Sequence, residues 1–265
     1  MYNLAKYSII DSLRIFKVKI VKTILKGLHK IKPQSKLISQ LNNSINLLNK
    51  DGYVYLRNYY SKNEIECLNK IAENIFQEKS EDKLKLVRYE KYNQSIKIKN
   101  VQAAYTDLKL FSKDIFFILL SFFFNLKLTT NTFILNLTTS KEDQSEIKQI
   151  AGRPHIDYPQ KSILKCIIFL EDVHLENGPT AIVKNSRINP ELRNLYAHYR
   201  ANSGKEDSIN IKEFLGEKKY NKIINSETTQ YLTGKKGDVV FVDSSNIHWA
   251  SNLIKGSRKI FWVFF

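Results

Sequence analysis

Four short runs of bulky residues do most to constrain how this chain can fold. All four are rich in Ile, Val or Phe, and they lie at 164–170, 180–183, 239–242 and 258–265. Gly-containing turn signals at 176–179 and 237–238 lead into the second and third runs. Short runs of this kind, bounded by turn residues, are typical of β-strands. The sequence therefore predicts a protein that is mainly β, with flanking helices.

The first half of the chain mixes helix and strand signals. Ser61 and Glu64 have the spacing of a capping box, which predicts a helix that continues through Phe76. Residues 115–124 are apolar but too few to span a membrane, so they predict a helix buried on several sides. The other elements that we predict are a strand at 53–57, a loop over 80–100 with a strand near 86–89, and a core strand at 130–139.

Length and composition favour one folded domain behind a separate leader. A chain of 265 residues, 43% of them hydrophobic, is long enough to bury one large core. We assign residues 37–265 to this domain. Within it, residues 188–222 are charged and helical in pattern, which indicates an insertion between strands. An insertion at such a position can act as a lid over a site.

The leader, residues 1–36, is strongly basic. It holds nine Lys or Arg against one acid, Asp11, in a chain whose formal net charge is +16. Its apolar residues recur at helical spacing, which predicts a basic amphipathic helix that ends near Pro33. Two interpretations stay open, because such a helix can lie on an anionic membrane surface or pack against the domain. The frequent charges exclude a membrane-spanning helix. The segment also lacks the uninterrupted apolar core and the small-residue cleavage site of a secretory signal.

The two cysteines, Cys67 and Cys166, lie far apart and lack the spacing of a metal cluster. We read both as reduced, buried thiols of a cytosolic protein. The sequence therefore predicts a cytoplasmic location, with residues 1–33 available for peripheral contact with the inner face of a membrane. Nucleic acid is disfavoured as a partner, because only the net charge points to it.

The segment 151–157 carries the clearest chemical signal. On extended backbone, His155 and Asp157 at positions i and i+2 point to the same face, so an imidazole and a carboxylate can reach one ion. His248 is the candidate third ligand. Two histidines and one carboxylate on one face of an ion are typical of non-haem Fe(II) oxygenases. The pair alone is weak evidence, and the order of the surrounding elements strengthens it.

The chain resembles the phytanoyl-CoA dioxygenase family of Fe(II)- and 2-oxoglutarate-dependent oxygenases. The resemblance spans residues 37–265 and rests on five stretches, at 48–56, 155–157, 168–180, 236–242 and 248–258. It implies a double-stranded β-helix, a jelly-roll or cupin-like core with helices packed on one side. It also implies that His155, Asp157 and His248 are iron ligands, with 2-oxoglutarate and O2 as co-substrates.

Arg258 matches the family residue that pairs with the distal carboxylate of 2-oxoglutarate. A guanidinium suits that role because it grips a carboxylate through two parallel hydrogen bonds and stays charged when buried. Arg258 lies ten residues after His248, whereas many family members use eleven, so Lys259 stays open as the alternative. Asn136 and Ser251 are further candidate contacts to the co-substrate.

The resemblance favours a dioxygenase that hydroxylates a small-molecule or lipid-like metabolite and releases succinate and CO2. Related halogenases replace the ligand carboxylate by a small residue, so the presence of Asp157 favours hydroxylation or a related oxidation. The alternative is a non-catalytic jelly-roll binding module that docks anionic lipid or nucleic acid through its basic leader. Of the other histidines, His174 is predicted to be exposed. His198 is predicted to be a partly buried surface residue, with a substrate contact as the alternative. For Tyr158 two interpretations stay open: the side chain lines the mouth of the pocket, or it has only a packing role.

Overall fold

The computed structural model describes residues 35–92, 95–108, 111, 117, 120, 132–139, 152–157, 164–201 and 210–264. The basic helix predicted for the leader lies outside these residues, and so do Tyr158 and most of the apolar run 115–124. Phe117 and Leu120 of that run are described, and both are buried. Within the described ranges, no helix is both long enough and apolar enough to cross a membrane.

Helices dominate the beginning of the described chain. Their bounds are α1 Ser35–Asp51, α2 Lys62–Phe76, α3 Glu81–Leu86 and α4 Val101–Ala104. The predicted capping box is confirmed at the start of α2, where the Glu64 N–H donates to Ser61 Oγ and the Ser61 N–H donates to the Glu64 carboxylate. The buried residues of α2 recur every three or four positions, so one face of this helix packs inward.

Ten strands in the described residues form two antiparallel sheets. Their bounds are β1 Tyr53–Leu56, β2 Arg88–Tyr92, β3 Ser95–Lys99, β4 Thr132–Thr139, β5 Leu164–Phe169, β6 Thr180–Val183, β7 Thr229–Leu232, β8 Val239–Asp243, β9 His248–Ala250 and β10 Ser257–Phe264. The major sheet has the order β1-β8-β5-β10-β4-β3-β2, and the minor sheet has the order β7-β6-β9. Apart from the edge β4-β3-β2, neighbours in the major sheet come from distant parts of the sequence, as in a jelly-roll.

The central strands of the major sheet are buried on both faces. On β5, Cys166 and Ile168 pack with the residues of α1 and α2, whereas Ile167 and Phe169 pack towards the minor sheet. On β10, Phe261 likewise packs on the helical face, opposite to its neighbours in sequence. Because successive side chains point to opposite faces, a strand covered on both sides needs apolar residues at nearly every position. This explains why these strands appear in the sequence as continuous apolar runs.

A set of short helices lies between β6 and β7. It comprises two 3₁₀ turns, Ser186–Ile188 and Pro190–Leu192, followed by α5 Arg193–Ala201, α6 Ile211–Leu215 and α7 Glu217–Ile223. Leu192 and Leu195 of this set share a small apolar core with Ile156 and Ile247. Ile156 and Ile247 adjoin the candidate ligands in sequence. The helical segment therefore packs directly behind the candidate site.

The predicted fold class is confirmed, since two largely antiparallel sheets are flanked by helices. The predicted strands at 53–57, 130–139, 164–170, 180–183, 239–242 and 258–265 agree with observed strands to within two residues at either end. The strand predicted near 86–89 overlaps β2, whereas α3 and β3 occupy much of the loop that was predicted over 80–100. The reading of both cysteines as buried is correct for Cys166 and wrong for Cys67, which is exposed.

A candidate metal centre between the two sheets

The main chain brings His155 and His248 together. The His155 N–H donates to the His248 carbonyl at 3.0 Å, and the His248 N–H donates to the His155 carbonyl at 2.9 Å. Two residues further on, the Asp157 N–H donates to the Ser244 carbonyl at 3.2 Å. The segment around His155 therefore runs antiparallel to the chain that enters β9. The main-chain pairing by itself therefore holds the two imidazoles close to each other.

The three predicted ligand residues form one cluster. His155, Asp157 and His248 each place a ligand atom within 4.8 Å of the others, and this is the one such group of His, Cys, Asp or Glu among the described residues. His248 Nε2 lies 3.4 Å from Asp157 Oδ2. Asp157 Oδ2 is buried without a hydrogen bond of normal geometry, although Lys165 Nζ also lies beside it. Two nitrogens and one oxygen at such distances can bind one metal ion.

The backbone sets which nitrogen of each imidazole is available. His155 Nδ1 lies 2.8 Å from the Arg153 carbonyl, and His248 Nδ1 lies 2.9 Å from the Asn246 carbonyl. A carbonyl only accepts hydrogen bonds, so this network assigns the proton to Nδ1 in both rings. Each Nε2 is then left with its lone pair. This arrangement, with the second ring nitrogen held by a carbonyl, is the usual one for metal-binding histidines.

The electrostatics of the cluster favour the protonation states that a metal requires. Burial, together with the neighbouring His248, lowers the pKa of His155 to about 3. Burial alone would raise the pKa of the Asp157 carboxyl, but Lys165 and the two imidazoles outweigh it and hold this pKa well below its ordinary value. At neutral pH the site therefore offers a neutral His155 and an ionised Asp157, the forms that bind metal ions.

A buried polar network supports the turn that carries His248. Asp243, at the end of β8, accepts a hydrogen bond at 2.8 Å from Arg187 Nη1 in the first 3₁₀ turn. The neighbouring Ser186 accepts at 2.8 Å from the Ile247 N–H, next to the candidate ligand. The start of the helical segment is thus bonded directly to the turn between β8 and β9. These contacts limit how far His248 can move.

A cavity of about 290 Å³ adjoins the cluster, and Arg258 lines it. The Arg258 side chain is buried, with one hydrogen bond from Nη2 to Thr138 Oγ1 at 3.3 Å, while Nε and Nη1 have no partner. Burial lowers the pKa of Arg258 to about 10, so the guanidinium stays charged at neutral pH. Buried N–H donors without a partner are costly, and a bound carboxylate would satisfy them.

The structure distinguishes Arg258 from Lys259, the alternative that the sequence left open. Lys259 lies on the opposite face of β10, and its Nζ is 4.0 Å from the Glu73 carboxylate of α2. Of the further candidates, Asn136 lines the cavity and donates to Ser95 Oγ at 2.8 Å. Ser251 instead donates to the Pro179 carbonyl and lines a separate, more open pocket.

Three lysines that the sequence analysis did not single out also line the cavity: Lys97, Lys99 and Lys165. Lys165 Nζ contacts the Asp157 carboxylate and lies over the ring of Phe264, 4.9 Å from its centroid. Strand alternation could have indicated this position. Lys165 and Ile167 lie two residues apart on β5, so both side chains point to the face that looks towards the minor sheet. Of the remaining described histidines, His174 is exposed, as predicted, and His198, predicted to be partly buried at the surface, is exposed as well.

The fold and the cluster together define a jelly-roll protein with two imidazoles and one carboxylate on one side of a cavity. The chain belongs to the phytanoyl-CoA dioxygenase (PhyH) family, whose sequence model matches residues 48–259. The predicted family is therefore confirmed. Among curated proteins, no significant match was found.

Solved structures with the same fold include three enzymes. SnoN, a non-heme alpha ketoglutarate dependent epimerase from nogalamycin biosynthesis, aligns with a TM-score of 0.60 and 14% identity over 85% of this chain and 82% of its own. EctD from S. alaskensis aligns at 0.58 and 16% over 83% and 75%. SnoK, an alpha ketoglutarate dependent carbocyclase of the same biosynthesis, aligns at 0.55 and 15% over 83% and 81%. The TM-scores show a shared fold, and at identities this low the likeness shows the fold alone.

The ligands in these structures agree with the cofactors expected for this chain. One SnoN structure contains Fe3+ and alpha ketoglutarate. EctD structures contain Fe in one case and 2-oxoglutarate with 5-hydroxyectoine in another. In this chain, the donor set of His155, Asp157 and His248 fits such an ion, and the unsatisfied donors of Arg258 fit a carboxylate.

Proposed function

We propose that this protein is an Fe(II)- and 2-oxoglutarate-dependent dioxygenase. His155, Asp157 and His248 hold the iron, and Arg258 binds the distal carboxylate of 2-oxoglutarate. The observation that carries the proposal is the cluster itself. Three ligand atoms from two distant segments lie within 4.8 Å of one another, and both histidines have Nδ1 engaged by a backbone carbonyl.

Membership of the phytanoyl-CoA dioxygenase family supports this assignment. Iron bound with 2-oxoglutarate and O2 supplies the oxidation of a C–H bond, in which one oxygen atom enters the product and the other enters succinate, with release of CO2. The contribution of this chain is to present three ligands on one side of the ion, leaving the other side open to the cavity. The backbone pairing of His155 and His248 sets that arrangement in advance.

Arg258 supports the co-substrate assignment. Its Nε and Nη1 atoms are buried without a partner, and it lines the same cavity as both histidines. A dicarboxylate whose keto-acid end lies at the metal would place its other carboxylate within the cavity, where these donors can bind it. A bound co-substrate would therefore remove the cost of two unsatisfied N–H groups.

For the reaction itself, we propose hydroxylation of a small-molecule or lipid-like metabolite. The intact Asp157 carboxylate supports oxygen transfer, and a cavity with Ile134, Trp249, Trp262 and Phe264 in its wall suits a carbon skeleton. The solved relatives show that this fold also carries an epimerase and a carbocyclase. The test must therefore identify the product, because succinate release alone would not distinguish hydroxylation from these reactions.

The test is 2-oxoglutarate turnover by protein loaded with Fe(II). We expect succinate release in air, stimulated by a component of a metabolite extract, with an oxygenated product visible by mass spectrometry. Asp157→Ala should abolish both signals. His174→Ala, which changes an exposed histidine outside the cluster, is the matched control and should leave them unchanged. Succinate release that is equal in wild type and Asp157→Ala contradicts the proposal.

A further inference from the structure

The outer face of the minor sheet carries two aromatic residues on either side of a small one. Tyr231 of β7 and Trp249 of β9 are both paired with Ala181 of β6, so the three side chains lie on one face of the sheet. The next residue of β6, Ile182, packs between the two sheets, so the face with Ala181 is the outer one. Because Ala181 is small, the two aromatic residues border a trough.

A pocket of about 620 Å³ surrounds this trough, and we call it the outer pocket. Nine of the described residues line it, and none of them carries a charge, although 26% of the chain is Asp, Glu, Lys or Arg. Three of the nine are aromatic, namely Tyr220, Tyr231 and Trp249. The others are a proline, a leucine, an isoleucine, a glycine, a serine and an asparagine. Such a wall favours an uncharged ligand, because a charged one would find no partner for its charge.

Exposed apolar side chains converge on the outer pocket. Among the described residues, seven large apolar side chains are exposed, and three of them line this pocket: Leu175, Tyr231 and Ile254. Leu175 is 63% exposed and Ile254 is 68% exposed. Single apolar side chains on a surface are ordinary, whereas several that meet in one place mark a binding site. A ligand seated between them would remove this apolar surface from water.

The two turns that carry Leu175 and Ile254 are hydrogen bonded to each other. The Glu176 carbonyl accepts from the Ile254 N–H at 2.8 Å and from the Lys255 N–H at 3.1 Å. The Asn177 side chain donates to the Lys255 carbonyl at 3.0 Å. The protein's own contacts therefore hold the rim of the pocket in shape. A pocket that is largely formed in advance is usual for small-molecule sites.

We propose that the outer pocket binds an uncharged small molecule that contains an aromatic or alicyclic ring. Its concave shape suits a small molecule better than the flat surface of a protein or a bilayer. The aromatic side chains offer faces against which a ring packs, and Ser251 and Asn252 supply the few polar groups that orient a ligand. Trp249 also borders the metal cavity, so the two sites are neighbours. The proposal does not depend on the proposed function.

Three naphthalene probes test the charge requirement by isothermal titration calorimetry. They are 2-naphthalenemethanol, which is uncharged, 2-naphthoate, an anion, and 2-naphthylmethylammonium, a cation. We expect the alcohol to bind at one site per chain, at least about tenfold more tightly than either ion, since an ion would lose its hydration in an uncharged pocket. Equal affinity for the alcohol and an ion overturns the proposal, and so does the absence of saturable binding of the alcohol.

The same titration, repeated with Zn(II) and 2-oxoglutarate present, shows whether the alcohol binds outside the metal cavity. We expect its affinity to stay within about twofold, because neither addition enters the outer pocket. A fall of tenfold or more on this addition would place the alcohol in the metal cavity and overturn the proposal. The proposed function would be untouched by that result.

A matched pair of variants locates the alcohol. Ile254→Asp should weaken its binding by about tenfold or more, because a carboxylate then stands in the apolar wall. Ile188→Asp makes the same change at a side chain that is 57% exposed and does not line the pocket, and it should keep the affinity within about twofold. Thermal unfolding midpoints show that both variants are folded. Unchanged binding in Ile254→Asp, or equal weakening in both variants, overturns the proposal.

Sedimentation velocity tests the alternative occupant, which is a second copy of this chain. We expect wild type and Ile254→Asp to sediment alike. A wild-type dimer that dissociates in Ile254→Asp, while Ile188→Asp stays dimeric, would show that the pocket is an interface between copies. The assignment to a small molecule would then be wrong.

Discussion

His155 and His248 lie with their ring centroids 4.4 Å apart because their main chains are hydrogen bonded to each other in both directions. The two residues are far apart in sequence, yet neither depends on a flexible side chain to meet the other. Sites held by backbone pairing are more precise than sites built on loops alone. The main-chain pairing therefore positions the two histidines of the candidate metal centre by itself.

Arg258→Met should raise the half-saturating concentration of 2-oxoglutarate by about 10- to 100-fold, because charge-assisted hydrogen bonds to a buried carboxylate are lost. Titration of the Fe(II)-loaded protein with 2-oxoglutarate, followed by its visible band, measures the change. The control is Lys259→Met, since Lys259 lies on the helical face beside Glu73. A larger effect in Lys259→Met than in Arg258→Met would reverse the assignment.

Lys165→Met should increase metal affinity by several-fold. Lys165 Nζ contacts the Asp157 carboxylate, so a cation entering the cluster is opposed by the ammonium. Competition with a chelator for Zn(II) measures the change, and Lys62→Met, at a surface position whose side chain is 87% exposed, serves as the control. A fall in affinity for Lys165→Met would show instead that the lysine holds Asp157 in place.

Arg187→Met should destabilise the fold by about 1–3 kcal/mol and weaken metal binding. The change removes a hydrogen bond to the buried Asp243 carboxylate, in the network beside the turn that carries His248. Urea unfolding with and without Zn(II) measures both effects. Arg193→Met, at an exposed position of α5, should change neither. A stable Arg187→Met variant with normal metal affinity would mean that the network does not position His248.

Asp238→Asn should destabilise the protein by about 2 kcal/mol near neutral pH, because the buried carboxylate accepts hydrogen bonds from Asn58, Arg57 and Lys235. Burial raises the pKa of Asp238, but the hydrogen bond from Asn58 and the contacts with Arg57 and Lys235 outweigh it and lower this pKa below its ordinary value of 3.8. Its contribution to stability is therefore present above pH 3.8 and is lost as the pH falls through the lowered pKa. Urea unfolding across this range should show the difference from wild type shrinking in acid. A difference that stays constant would contradict this role.

The strands buried on both faces were the part of the fold that the sequence predicts best. β5, β8 and β10 need apolar residues on both sides, so their runs are long and unmistakable. Of the hairpin β2–β3, only a strand near 86–89 was predicted, where β2 begins, and β3 was missed. The hairpin is rich in Lys and Arg, some of which face a cavity rather than solvent. β7 was missed because its four residues include only one fully buried apolar side chain, Leu232.

The residues of the candidate site also differ in how well the sequence predicts them. His155 and Asp157 could be found from their i and i+2 spacing, and His248 was the candidate third ligand before any resemblance was considered, whereas Arg258 needed the family resemblance. Lys97 was overlooked because a lysine in a polar stretch is read as solvent-facing. The pairing of β3 with β4 places the hairpin in the major sheet, and one face of β3 then lines the cavity. Local pattern thus gave the ligands, and tertiary pairing was needed for the cavity that surrounds them.

The central claim is that His155, Asp157 and His248 bind one ferrous ion, and that 2-oxoglutarate chelates this ion. The direct measurement is an anaerobic titration of the protein with Fe(II) in the presence of 2-oxoglutarate, followed by visible absorption. The account predicts a charge-transfer band that saturates at one iron per chain, is lost in His248→Ala, and is retained in His198→Ala, at an exposed position. A band of equal strength in His248→Ala, or no band in wild type, would contradict it.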